Sequence, residues 1–240
     1  MNKLIRIGQM IFMVLVIMGL YAFANHKNSQ REVRGIVMEF TPNENLYTNL
    51  NAVNKLLIQK NKAPIKLPKE RVALSTIEQW LKEDPMLLNA NVYMTVDGTL
   101  RALLTQRTPE ARVVSDSVFY LDKNGDPMPL SEFHSARVPI ITGNLSKKSL
   151  GDSHKIVAFA AQDVFLTKNM VGVHLTPEGQ YVLKCRMEDF DILLGDSQDL
   201  EEKINKLKAF YNKAQKDQSL QDYSLVDLRF KNQVVATKKR

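Results

Sequence analysis

The sequence predicts an α+β protein: one N-terminal transmembrane helix, a small β-α-α-β-β module, then a strand-rich domain with two helices. Three observations carry that prediction. An uncharged apolar run opens the chain. Two stretches with apolar residues at helical spacing then lie among strand-like runs within the first hundred residues. Beyond Pro109 the runs turn short and rich in strand formers, and are punctuated by Gly and Asn-Gly turns.

The opening run, "IGQMIFMVLVIMGLYAFA" over 7–24, contains no charged residue. At about 1.5 Å per residue it reaches roughly 27 Å, just enough for a bilayer's hydrocarbon core. Two readings stand side by side. One is an uncleaved anchor over 7–24, with residues 1–6 as a cytoplasmic tail and 25–30 as a linker. The other is a secretory signal peptide, with Lys3 and Arg6 as its basic region and Ala22-Phe23-Ala24 as a cleavage site. Both carry the body of the chain across the membrane.

A first module follows over 31–108. "REVRGIVMEF" (31–40) contains a strand, ended by Pro42 and Asn43. Leu46, Leu50, Val53, Leu56 and Leu57 recur at helical spacing, and Leu74, Ile77, Trp80 and Leu81 do so again before Pro85. Asp97-Gly98 joins two alternating runs as a hairpin. The second domain spans 109–240. Its strands are read in "ARVVSDSVFYLD", "VPIITG", "VGVHL", "YVLKCRM" and "DFDILLG", with helices over 155–166 and 199–217. Asp199, Glu201 and Glu202 suit the positive end of the second helix dipole. The chain finishes on a hairpin, "YSLVDLRFKNQVVATKK".

Composition excludes several function classes. A content of 44% hydrophobic and 25% charged residues is that of globular material with a buried core. The net charge of +7 suits a domain beside an anionic membrane, and no aromatic residues interleave with basic ones to make a nucleic-acid platform. Cys185 is the one cysteine, so neither an internal disulfide nor a cysteine-built zinc site is available; it reads as a small buried hydrophobe. His26, His134, His154 and His174 show no metal-ligand spacing. Asp189 and Asp191 share a strand face but have no nucleophile or orienting partner in sequence. The expectation is no catalytic residue, no metal and no cofactor.

Taken in order, these segments resemble the FtsQ/DivIB cell-division family, whose first module is a POTRA domain and whose second is called the β domain. "LNANVYMTVDGTLRALLTQRTPEARV" is similar to the family's passage from its last POTRA hairpin into an R-x-P-x-A junction, here Arg107, Pro109 and Ala111. "FYLDKNG" followed by "VPIITG", the helix led by "LLGDSQDLEEKINKLKAFY", and "YSLVDLRF" beside the family's closing "VDLRY" extend the resemblance from Lys3 to Lys238. Two departures stand out. Phe230 replaces a usual tyrosine, and Lys231-Asn232-Gln233 lacks the glycine often found in the final turn.

The resemblance favours the anchor and implies a single-pass protein of the bacterial inner membrane. Its N-terminus would be cytoplasmic and its bulk periplasmic, and it would gather at the division septum. It implies a divisome scaffold without enzymatic activity that recruits the small single-span proteins FtsB and FtsL and so helps control septal peptidoglycan synthesis. It places partner binding on the last strands: Arg229, Phe230, Asn232, Gln233, Val234, Val235 and Ala236. Other divisome components would reach the POTRA domain. In "LVDLRF", alternation puts Val226, Leu228 and Phe230 on a core face and Asp227 with Arg229 on the other. "QVVATKK" then supplies an edge able to accept a guest strand, with Lys238, Lys239 and Arg240 discouraging indiscriminate pairing. Two alternatives remain open at this level. One reads the hairpin as no more than the closing edge of its sheet, with Asp227 and Arg229 pairing along the strand. The other reads the whole chain as a periplasmic POTRA-containing binding or assembly factor for protein transport.

Overall fold

The computed structural model describes residues 2–29, 33–42, 46–59, 73–186 and 189–239. The chain divides into two compact units, Met1–Gln106 and Arg107–Arg240.

The first unit opens with helix α1 (Asn2–Ser29). Within it, Ile7–Lys27 is long and apolar enough to cross a membrane. Strand β1 (Gly35–Phe40) follows, then helices α2 (Leu50–Gln59) and α3 (Leu74–Lys82), then strands β2 (Leu87–Met94) and β3 (Thr99–Gln106). The sheet order is β1-β3-β2, with β1 parallel and β2 antiparallel to the central β3. Alternation sets the core. Leu100, Ala102 and Leu104 of β3 are buried with Val53, Leu57, Ile77 and Leu81 of the helices, so both helices cover one face. Helix α2 starts later than Leu46 because Asn49 accepts the Ala52 N–H at 2.8 Å and caps it there; Leu46 and Leu50 are left exposed. At the β2–β3 turn Gly98 takes φ +93°, as the Asp-Gly pair requires. The free edge of β2 is blunted by Glu78, whose carboxylate accepts the Val92 N–H at 2.8 Å. Residues 60–72, including the basic stretch between the two helices, lie outside the described residues.

The second unit is a nine-stranded sheet. Its strands are β4 (Pro109–Val114), β5 (Val118–Asp122), β6 (Pro127–Met128), β7 (Ile140–Gly143), β8 (Met170–Leu175), β9 (Tyr181–Cys185), β10 (Asp191–Gly195), β11 (Tyr223–Asp227) and β12 (Val235–Lys238). Their order across the sheet is β12-β11-β10-β9-β8-β7-β4-β5-β6. Helices α4 (Lys147–Gln162) and α5 (Val164–Asn169) link the parallel β7 and β8, and α6 (Leu200–Lys216) links the parallel β10 and β11. All three pack on one core. Ile156, Val157, Leu166, Ile204 and Leu207 meet Val113, Ile141, Val173, Leu183, Ile192 and Val226 of the strands.

The helix expected over 155–166 is in fact two. Ser146 and Ser149 form a reciprocal capping box that starts α4 eight residues earlier than its apolar spacing indicates. Asp163 then leaves the helical region at φ −102°, ψ 119°, and accepts the Phe165 and Leu166 N–H groups to start α5. Cys185 is half-buried against the core, and Met187 lies outside the described residues.

Candidate functional site

The two margins of the nine-stranded sheet are unlike. β6 is two residues long and begins with Pro127, which has no N–H to offer a ladder. β12 has four residues and pairs antiparallel with β11 on its inner side. Among the described residues, no strand lies outside β12.

Two hydrogen bonds fix which backbone groups of β12 face outward. Leu228 N–H donates to Leu193 O at 2.9 Å, so on β11 Asp227 and Leu225 turn their backbone groups toward β12. Their partners are Val235 and Thr237. Past the bulge at Tyr223–Leu225, Lys239 N–H donates to Asp222 O at 2.7 Å. The residues between, Ala236 and Lys238, therefore direct their N–H and C=O groups away from the sheet. Their side-chain faces follow from the same register. Ala236 lies beside Val226 and packs on the helix-covered core, while Val235 stands on the other face, 39% exposed.

The connection before β12 runs from Leu228 to Val234. Val226 and Leu228 are buried as the alternation requires. Phe230 is not on the core face with them: the chain leaves the strand after Asp227, and Phe230 is 44% exposed. The cause is local. Arg229 folds back on Asp227, its Nε at 3.0 and 3.1 Å and its Nη2 at 2.7 Å from the carboxylate, while the Arg229 N–H donates to Asp227 Oδ1 at 3.0 Å. Strand alternation cannot continue through a residue clamped in this way. Burial pushes the Asp227 carboxyl up. The Arg229 hydrogen bonds and charge act in the opposite sense and hold it below the ordinary carboxylate range.

Arg229 reaches this position because Gly195, at the end of β10, has no side chain. Gly195 adopts φ +82°, and a Cβ there would lie 2.8 Å from Arg229 Cγ. Beside it is a cleft of about 370 Å³ lined by Gly195, Asp196, Asp199, Lys206, Leu228 and Arg229, among others. Lys206 on α6 spans from helix to loop. Its ammonium donates to Phe230 O at 2.8 Å and Lys231 O at 3.0 Å, and to Glu202 Oε1 at 3.3 Å. One turn earlier Lys203, nearly buried, donates to Asp196.

The structure brings the expected residues together as one hairpin. Arg229, Phe230, Asn232, Gln233 and Val235 are exposed or half-exposed, and Val234 and Ala236 sit against the core. Sequence reasoning missed Gly195 and Lys206. In the sequence Lys206 is one of several lysines on a charged helix, marked only by its place four residues after Glu202.

An apolar helix long enough to span a membrane, a small module with two helices on a three-stranded sheet, and a larger sheet ending in a hairpin define an α+β class of protein with an N-terminal apolar helix. A family model for FtsQ/DivIB, C-terminal related, matches residues 108–237, and one for a POTRA-like domain matches residues 41–105. The chain belongs to the FtsQ/DivIB family of cell-division proteins. Among solved structures it is similar to the major extracytoplasmic domain of the trans isomer of the cell-division protein DivIB from Geobacillus stearothermophilus. That match has 15% identity and a TM-score of 0.32, and covers 45% of this chain and 92% of the other. No curated protein matches the chain.

Proposed function

We propose that this protein is a bitopic division scaffold that recruits small single-span partners, FtsB- and FtsL-like, by adding an extended partner segment to β12. In this reading Ile7–Ala24 anchors the chain in the inner membrane with residues 1–6 cytoplasmic. The POTRA domain occupies 31–108 and the β domain 109–240, both periplasmic, and the assembly at the septum helps control peptidoglycan synthesis. It acts by gathering other proteins rather than by turnover. The observation that carries the reading is the contrast between the two margins of the large sheet: one is blunted by a proline, and the other carries outward-facing backbone groups at Ala236 and Lys238. Main-chain hydrogen bonds would supply affinity there, and the exposed Phe230 beside them would act as an aromatic anchor.

The test is co-purification of the full chain with its FtsB-like partner, comparing the parent with Arg229→Glu combined with Phe230→Ala. Loss of the partner is expected, together with loss of a midcell ring formed by a fluorescent fusion. Unchanged recovery of the partner would remove this surface from the function.

A further inference from the structure

We infer that Lys206 on α6 is a positioning residue of the docking surface: it holds the loop that precedes β12 in the shape that presents Phe230 and the open edge. The inference rests on the edge-strand reading above and extends it to a helix on which that reading places no contact. Three facts converge on Lys206. Beyond Leu228, whose N–H still bonds Leu193 O, the chain leaves the ladder until Val235, so the Phe230 and Lys231 carbonyls have no strand partner to satisfy them. A single ammonium accepts that duty, donating to both carbonyls, and its third hydrogen bond goes to Glu202 one helical turn away. The Lys206 side chain is mostly buried at 18% exposure, so its stem is held along its length while its head reaches the loop. The loop's own residues Lys231, Asn232 and Gln233 are all exposed.

The consequence for binding is one of preorganisation. A guest strand meets Phe230 and Ala236 together, and their relative placement is set by the loop between them. Without the Lys206 tether, that loop keeps many conformations in the free protein, and the entropy of ordering it is charged against the complex. The partner is therefore sensitive to a residue on the helix joining β10 to β11, which need not touch it. Gly195 completes the arrangement by leaving the space that Arg229 occupies, in the same cleft that Lys206 lines.

The probe is a synthetic peptide spanning the extracytoplasmic segment of an FtsB-like division protein from the same cell, titrated against the full chain in detergent micelles. Lys206→Met keeps the stem and removes the donors. It is expected to weaken peptide binding about ten-fold, a difference readable in Kd. Lys206→Arg, which restores donors to both carbonyls, is expected to recover most of the loss. A second measurement needs no partner: amide hydrogen exchange at Lys231–Val234 should accelerate about ten-fold in Lys206→Met, with the amides of β8 to β10 unchanged. Unchanged exchange in the loop overturns the tether whatever the peptide does. If Phe230→Ala weakens the peptide while Lys206→Met binds like the parent, the inference falls and the edge reading survives. If the peptide binds the parent and every variant alike, the edge reading falls and takes this one with it.

Discussion

Asp227 and Arg229 are two residues apart, and on a continuing strand that spacing would place them side by side on one face. They do pair, but the pairing ends the strand, because the Arg229 backbone and side chain both close on the same carboxylate. The carboxylate's lowered folded pKa has a defined pH consequence. The unfolded chain binds its proton near pH 4, the ordinary aspartate value. The clamp therefore contributes fully above about pH 4, and its contribution is lost as pH falls through the lower folded value. Protection of the Arg229 amide, taken relative to its intrinsic exchange rate at each pH, should fall on acidification below about pH 4. Asp227→Asn should show the lower protection already at neutral pH, with little further change. A parent whose Arg229 amide is equally protected at pH 7 and pH 3 would contradict the assignment.

Among elements, caps and edges settle what periodicity leaves open. Apolar spacing locates α4 only from its buried middle. Its start belongs to Ser146 and its end to Asp163, whose second oxygen also meets Lys208 on α6. Edge chemistry follows the same rule of accounting for every backbone group. Glu78 takes up the Val92 N–H on β2, Pro127 shortens β6, and β12 keeps Ala236 and Lys238 turned outward. Ala236→Pro is the test at this scale. Proline removes an N–H that β11 does not use, so the protein's own stability should change by only about 1 kcal/mol in a urea melt. Partner recovery should fall about ten-fold, because a guest ladder loses a donor at its centre. A stability loss several times larger would mean that the Ala236 N–H already has a partner.

At the scale of the molecule, each unit carries its own hydrophobic core, one around Leu57, Leu81 and Leu104 and the other around Ile141, Leu183 and Leu207. A core of that kind is what an independent folding unit needs. Residues 107–239 expressed alone should show a cooperative thermal transition and an ordered near-UV circular dichroism signal around Tyr120 and Tyr181. A broad transition without near-UV signal would show that this unit depends on the preceding one.

The order of elements was legible because it depends on local pattern. An uncharged run, helical spacing around Ile77 and Leu207, and turn residues at Gly98, Gly125 and Gly179 each act within a few positions of themselves. The hairpin was legible for the same reason, and so was the burial of Val226 and Leu228, but not the burial of Asp227 or the exposure of Phe230. What tertiary structure decided was everything that depends on a distant neighbour. Neighbours far away in sequence set β12 at the margin of a nine-stranded sheet and left room at Gly195 for Arg229. They also brought Lys206 to a loop 24 and 25 residues further along the chain. Hydrogen bonds across such separations leave no periodic trace in sequence, because their partners are chosen by packing and not by spacing.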